Sequence, residues 1–499
     1  MKHIAVLDEG TTSTRAVLIA ADGTIADERI YKLDVHTPGG NRVEQDPKQV
    51  VQRSIQALRE VLDRAAAAHR EVDCVAITNQ RTNTTIMDRA TGEPVSVLIG
   101  WQDGRAAERV DELRADWAAK FERTTCLNLA AANIPLHAEF FLRDPELRRR
   151  ADAGELALGT PDTVLLAALT GRFATSTSNA SAYGAMDFRT ETWWGEWLDF
   201  LGVPMGMFPE ILPDDADFGV TNPAVLGYEL PIASVVADQQ SALFGHGAFA
   251  PGTVKCTHGT GSFIDFNVGE QIPDGGKGLD LRIGWRGGVG RANCIEGATW
   301  VSGSAVEWLV DDLKALAGAG ELDATCRAAK QSGLIVVPAL AGFASPHWDA
   351  AARGTVFGMH RHTSQADLVE ATVTGVAHTV VDLLEAISDA SGTSTITLAV
   401  DGGLARSDYL QQMTADLLDV PVERTQNAGY VTAMGAAWIA GIARGVWASK
   451  EAAAASRGVE ARFEPSMSAG ERRSRRDAWK DAVGRSLGWK NREGIVDEA

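Results

Sequence analysis

Cysteine is scarce in this chain: five residues in 499, at Cys74, Cys126, Cys256, Cys294 and Cys326, with no C-x-x-C pair. Their odd number and scatter exclude a zinc site of ordinary ligand spacing and a disulfide framework, and they point to a reducing compartment. Positive charge is also in short supply. Lys and Arg number 47 against 66 Asp and Glu, a net charge of −19, which makes nucleic acid or an anionic membrane a poor partner. No apolar run approaches the roughly 20 residues of a membrane-spanning helix. The opening Met1–Asp8 stretch reaches an acid too soon for a secretory signal. A cytoplasmic location, with no membrane partner, is expected. The pattern G-x-x-x-x-G-K-[ST] is missing as well, so any phosphate must be held by something other than a P-loop.

What is present is a globular composition long enough for two large domains. The alternation of apolar runs with turn residues predicts an α/β protein. Ile4–Leu7 and Arg15–Ala20 read as two strands around the turn Asp8-Glu9-Gly10-Thr11-Thr12-Ser13. Gly10 allows close backbone approach there, and three hydroxyls with several N–H groups converge, which suits a phosphate held without a helix terminus. A plain Gly/Thr hairpin accounts for the same residues. The unit recurs halfway along the chain: strand Gly252–Thr257, turn His258-Gly259-Thr260-Gly261-Ser262, strand Phe263–Val268. Two lobes opening on the same hairpin suggest a duplicated fold, with the boundary in 245–251 and lobes of 1–247 and 248–499.

Between the hairpins, Asp46-Pro47 opens an amphipathic helix, and Val72–Ile77 and Val95–Gly100 read as strands. The apolar run Pro231–Val236 ends at Ala237-Asp238-Gln239-Gln240. A buried strand that stops there delivers Asp238 to the carboxyl edge of a sheet, where open α/β sheets bind ligands. A carboxylate at that edge can take a proton from a hydroxyl; an aspartate capping the next helix is the competing account. Later, Ile396–Val400 leads to Asp401-Gly402-Gly403 and a helix from Ser407, glycines that can lie flat against a nucleotide. The small residues of Val431–Ile442 predict close helix packing, and the charged tail beyond Glu464 reads as peripheral.

Taken together, Leu7–Val17, Ile77-Thr78-Asn79-Gln80-Arg81, Ala237–Gly245, Gly259–Phe263, Gly354–Met359 and Val400-Asp401-Gly402-Gly403 resemble the FGGY carbohydrate kinases, and within them most closely the glycerol kinases. The resemblance runs in order from Met1 to Trp447. It implies an actin-like, duplicated ribonuclease-H-like fold with ATP in a central cleft, Mg²⁺ as cofactor, a small polyol or sugar as acceptor, and two or four copies per assembly. By the same resemblance Asp238 is the general base and Asp8 positions Mg²⁺ through water. Thr11, Thr12, Ser13 and Arg15 would hold the phosphates from one lobe, Gly259 and Thr260 from the other. Gly303, Glu307, Gly403 and Ser407 would line ribose and base, with Glu307 and Ser407 departing from the usual Gln and Asn.

Arg81, Trp101, Asp238, Gln239 and Phe263 match acceptor-pocket positions of glycerol kinases. The glutamate expected after the arginine is Thr82, and the tyrosine expected further on is Ala132. Both changes remove bulk and a hydroxyl-binding group, so a longer polyol or a sugar is expected in place of glycerol. An ordinary glycerol kinase is the alternative within the family, and a non-catalytic actin-like nucleotide-binding protein is the alternative outside it. The stretch 217–228 lacks the glycine-rich basic loop for fructose 1,6-bisphosphate, so that regulation is not expected.

Overall fold

The computed structural model describes residues 1–273, 278–330 and 333–491. It divides into two compact units. Unit 1 holds Met1–Gly247, Leu281–Asn293 and Tyr430–Arg457; unit 2 holds Ala248–Asp280, Cys294–Gly429 and Gly458–Ala499. The expected second lobe, 248–499, therefore differs at two returning segments, which group with unit 1. Nothing local in either segment announces that allegiance.

Unit 1 is built on strands β1 (Lys2–Glu9), β2 (Ser13–Ala20), β3 (Ile25–Lys32), β4 (Glu71–Asn79) and β5 (Ile232–Ala237), in the order β5–β4–β1–β2–β3. Pairing is parallel for β1, β4 and β5 and antiparallel for β2 and β3. Ile4, Val6, Ile77 and Val235 are fully buried, because a sheet covered on both faces needs continuous apolar strands. Helix α1 (Pro47–Ala67) starts where Asp46 accepts the Lys48 N–H and packs Val50, Leu58, Val61 and Leu62 inward.

Unit 2 repeats the plan. Strands β6 (Thr253–His258), β7 (Ser262–Gly269), β8 (Gly290–Thr299, of which Cys294 onward belongs to this unit), β9 (Thr397–Gly402), β10 (Val422–Thr425) and β11 (Val459–Phe463) follow the order β8–β7–β6–β9–β10–β11. Here β6, β9 and β10 are mutually parallel, and β7 runs antiparallel to β6. The duplicated fold expected from the two hairpins, and the ribonuclease-H-like plan that the resemblance implies, are the observed ones.

Two expectations are corrected. Of Val95–Gly100 only Leu98–Ile99 is strand, paired with Glu44–Gln45, while Val95 and Val97 are exposed; a β-branched run forms a strand only where a partner strand reaches it. The tail beyond Glu464 is not peripheral throughout. Its helix Ala469–Ser486 buries Trp479, whose ring stacks on His378 with centroids 4.8 Å apart, and Arg476, which binds Asp382 at 2.6 Å. Among the described residues no helix is long and apolar enough to cross a membrane.

Candidate active site

The carboxyl ends of β1, β4 and β5 finish together, with Asp8 beside Thr78 and Asn79 beside Ala237 in the strand register. Parallel strands ending in register place the residues just beyond them along one edge. Three sequence-predicted residues meet there: Asp8, Arg81 and Asp238.

Asp238 is the first residue of helix α2 (Asp238–Gly245), half-buried, with Oδ1 accepting the Gln239 N–H at 2.7 Å. The residue in the capping position is Ala237, so the expected alternative of Asp238 as the helix cap does not describe this turn. Arg81 Nε lies 3.4 Å from Asp238 Oδ1, with side chains 14% and 27% exposed. A carboxylate at a helix N-terminus beside a guanidinium has favourable charge neighbours, and its partial exposure leaves room for a substrate hydroxyl.

The first turn is held from several sides. Gly10 N–H bonds Ser13 O at 3.0 Å, and Gln45 Nε2 donates to Thr11 O at 2.9 Å. Trp101, 39% exposed, donates its Nε1–H to Thr11 Oγ1 at 3.1 Å. Thr12 is exposed and Ser13 half-buried. Arg15 binds Asp8 Oδ2 at 2.5 Å and lies 5.2 Å from the centre of the Tyr430 ring, so the Asp8 carboxylate has an Arg at its side. Among the described residues no group of three or more His, Cys, Asp or Glu could hold a metal ion. One carboxylate fits a Mg²⁺ that keeps most of its waters and is bound chiefly by phosphates.

In the acceptor region, Thr82 adopts φ +60°, and its hydroxyl donates to Arg81 O at 2.7 Å. Ala132 and Gln239 are half-buried. Phe263 belongs to unit 2, on β7, and is 40% exposed.

In unit 2, Gly259 and Thr260 are exposed at the tip of the second turn. Helix α3 (Gly303–Glu307) begins against that turn, with Gly303 N–H bonded to Gly259 O at 2.9 Å. Glu307 is exposed at the other end of this helix. Gly403 follows β9 and is exposed. Ser407 is buried, and its hydroxyl is committed to Asp323 Oδ1 at 2.5 Å while capping helix α4 (Asp408–Leu418) through Leu410 N–H. It acts here as a helix cap.

Sequence reasoning missed three buried groups. Gln45 joins the Thr11 carbonyl to Gln80 and Asn83, whose amides donate to its Oε1 at 3.1 and 3.3 Å. Glu9, fully buried under the first turn, accepts from Ser54 Oγ at 3.0 Å, and burial pushes its carboxyl up to about 8. Lys255 and Asp265 form a fully buried ion pair at 2.8 Å across β6 and β7. Burial works to discharge Lys255, but Asp265 and Asp401 outweigh it and hold its pKa above the ordinary value. The one available signal was a charged or amide residue at an inward position of an apolar strand or beside a cap.

Residues 3–245 match the FGGY family of carbohydrate kinases, N-terminal domain, and residues 254–444 match its C-terminal domain. A glycerol kinase of Symbiobacterium thermophilum is 37% identical over 492 residues, covering 98% of this chain and 99% of its own. Glycerol kinase 2 of Thermotoga maritima is 36% identical over 497 residues, covering 99% of this chain and 100% of its own. Among solved structures, Plasmodium falciparum glycerol kinase with ADP superposes with a TM-score of 0.94 at 26% identity, over 98% of both chains. The xylulose kinase of Rhodospirillum rubrum gives a TM-score of 0.86 at 21% identity, over 97% of this chain and 98% of that one, a likeness of fold.

Proposed function

The chain belongs to the FGGY family of carbohydrate kinases and is an ATP-dependent kinase of an alcohol, and we propose that Asp238 is its general base and that its acceptor is a polyol or sugar longer than glycerol. The observation that carries the first part is Asp238 beside Arg81, 3.4 Å apart, at the edge where β1, β4 and β5 end. The acceptor hydroxyl donates its proton to Asp238 as its oxygen attacks the γ-phosphorus of ATP. The bond to the bridging oxygen breaks, leaving ADP and a phosphate ester. Arg81 and Gln239 grip neighbouring hydroxyls of the acceptor. Thr11, Thr12, Ser13 and Arg15 in unit 1, and Gly259 and Thr260 in unit 2, bind phosphate oxygens, and Gly303, Glu307 and Gly403 lie toward the ribose and base. Asp8 would hold a water of Mg²⁺, which when bound supplies charge neutralisation to the phosphates.

The acceptor reading rests on Thr82 and Ala132. The Thr82 hydroxyl is turned back on the Arg81 carbonyl, and a methyl group at 132 offers no hydrogen bond, so this wall carries little that grips a three-carbon substrate. Glycerol itself is the second reading, favoured by the full-length relatives, which are glycerol kinases at 36–38% identity. A coupled ADP-release assay across three- to six-carbon polyols and ketoses decides between them. A four- to six-carbon acceptor should give the highest kcat/KM; glycerol exceeding every longer compound restores the second reading. Turnover indifferent to every acceptor removes both.

A further inference from the structure

His258 closes β6 directly before Gly259-Thr260 and is fully buried. Its Nδ1 lies 2.9 Å from Ser262 Oγ and 3.3 Å from Ser302 Oγ. These two serines stand at the two supports of the turn. Ser262 opens β7 and faces His258 across the hairpin. Ser302 directly precedes α3 and donates its N–H to Thr260 O at 2.8 Å. The next two residues continue the clasp. Gly303 N–H reaches Gly259 O at 2.9 Å, and Ser304 reaches Thr260 O through its N–H at 3.2 Å and its hydroxyl at 3.0 Å.

Both carbonyls of the turn therefore point toward the start of α3. Among the described residues, the N–H groups of Thr260 and Gly261 form no hydrogen bond, and Gly259 and Thr260 are exposed. A peptide plane whose carbonyl is tied down on one side presents its N–H to the other. That is the disposition an anion needs. One imidazole under the turn thus ties the hairpin to the helix whose amides fix those planes.

We infer that His258 is a positioning residue for the nucleotide's phosphates, bridging Ser262 and Ser302 so that the Thr260 and Gly261 N–H groups stay directed away from α3. The inference rests on the proposed phosphate role of Gly259 and Thr260. Burial holds the imidazole neutral, its pKa pushed down to about 4, and both hydroxyls meet the same ring nitrogen, Nδ1, which accepts from them in one tautomer and donates between them in the other. A phenylalanine would fill the space and remove the ring nitrogen that both serines meet in the interior, and the loss of such bonds corresponds to about tenfold in affinity.

Calorimetric titration of the full-length protein with ADP (Mg²⁺ present) and separately with adenosine tests this. His258→Phe should weaken ADP about tenfold and adenosine less than about twofold. His258→Asn, which keeps a short polar group between the two serines, should recover most of the ADP affinity. Ser302→Ala, on the other side of the bridge, should weaken ADP about threefold and carries the test if His258→Phe does not fold. Gly259→Val serves as the control. Its Cβ would meet only Gly261 O at 3.8 Å, yet a branched side chain there crowds an anion on the turn, so ADP affinity should fall. ADP affinity intact in Gly259→Val overturns the phosphate reading of the turn, and this inference with it. ADP weakened in Gly259→Val but unchanged in both His258→Phe and Ser302→Ala, or ADP and adenosine weakened equally by them, overturns the positioning role alone.

Discussion

Arg81 Nε approaches Asp238 Oδ1 to 3.4 Å from the neighbouring strand's end, and the same Oδ1 takes the Gln239 N–H at 2.7 Å. One carboxylate oxygen is thereby oriented by two donors. At 3.4 Å this contact is longer than an ordinary charge-assisted hydrogen bond. Asp238→Asn retains shape and hydrogen bonding but cannot take a proton. Its kcat should fall by at least about a hundredfold while ADP binding stays within about twofold of the unmodified protein. Steady-state turnover with parallel ADP titration checks this, and near-normal kcat removes Asp238 from the chemistry.

Acceptor choice turns on Thr82 and Ala132. Restoring the two groups expected from glycerol kinases, Thr82→Glu with Ala132→Tyr, should shift the ratio of kcat/KM for glycerol over the best longer acceptor by about ten- to a hundredfold toward glycerol. The φ of +60° at Thr82 is uncomfortable for a β-branched residue, so glutamate should not add strain. An unchanged ratio would show that other residues set the length of the acceptor.

Glu9 predicts a stability profile. Its folded pKa of about 8 stands above the ordinary 4.5, chiefly because of burial. Between these two values the folded chain keeps a proton that the unfolded chain has released. The contribution is therefore fully present below 4.5 and lost as pH rises to about 8, at up to about 1.4 kcal/mol per pH unit. Glu9→Gln, a neutral match for the protonated acid, should flatten this segment of the profile. Denaturant midpoints at pH 5, 6, 7 and 8 for both proteins provide the measurement; parallel profiles would mean that Glu9 does not titrate in this window.

Gly435 packs behind the helix that Asp238 begins. A Cβ on it would lie 1.8 Å from Ser241 O, and one on Gly245 would lie 2.2 Å from Val431 O. Helix α2 and the returning helix Val431–Ala443 thus touch backbone to backbone, with Ser241 Oγ also donating to Thr432 O at 2.6 Å. Gly435→Ala should force the two apart, lowering stability by about 1–3 kcal/mol and kcat along with it, since Asp238 begins α2. Gly429→Ala, where a Cβ meets nothing within 4 Å, should be close to neutral in the same thermal melt.

Much of this protein is decided locally and could be read without a structure. Gly/Thr turns between β-branched runs make hairpins from their own residues, so both hairpins and the duplication they imply were legible in sequence. Asp46-Pro47 and Ser364 open helices through their own side chains, and the structure has α1 at Pro47 and a capping box at Ser364. The position of Asp238 likewise comes from one buried strand ending at one polar residue. What only the tertiary structure decided are contacts between residues far apart in the chain. Gln45 lies 34 residues from the Thr11 carbonyl it supports, and the Tyr430–Arg457 segment returns to unit 1 after the chain has built most of unit 2. Trp479 and Arg476 are buried within a tail whose charge pattern suggested solvent, and Val95 and Val97 lose the strand their composition favours. Local propensity is a property of neighbouring residues, whereas burial and pairing depend on which distant surface arrives, and that is fixed only when the whole chain has packed.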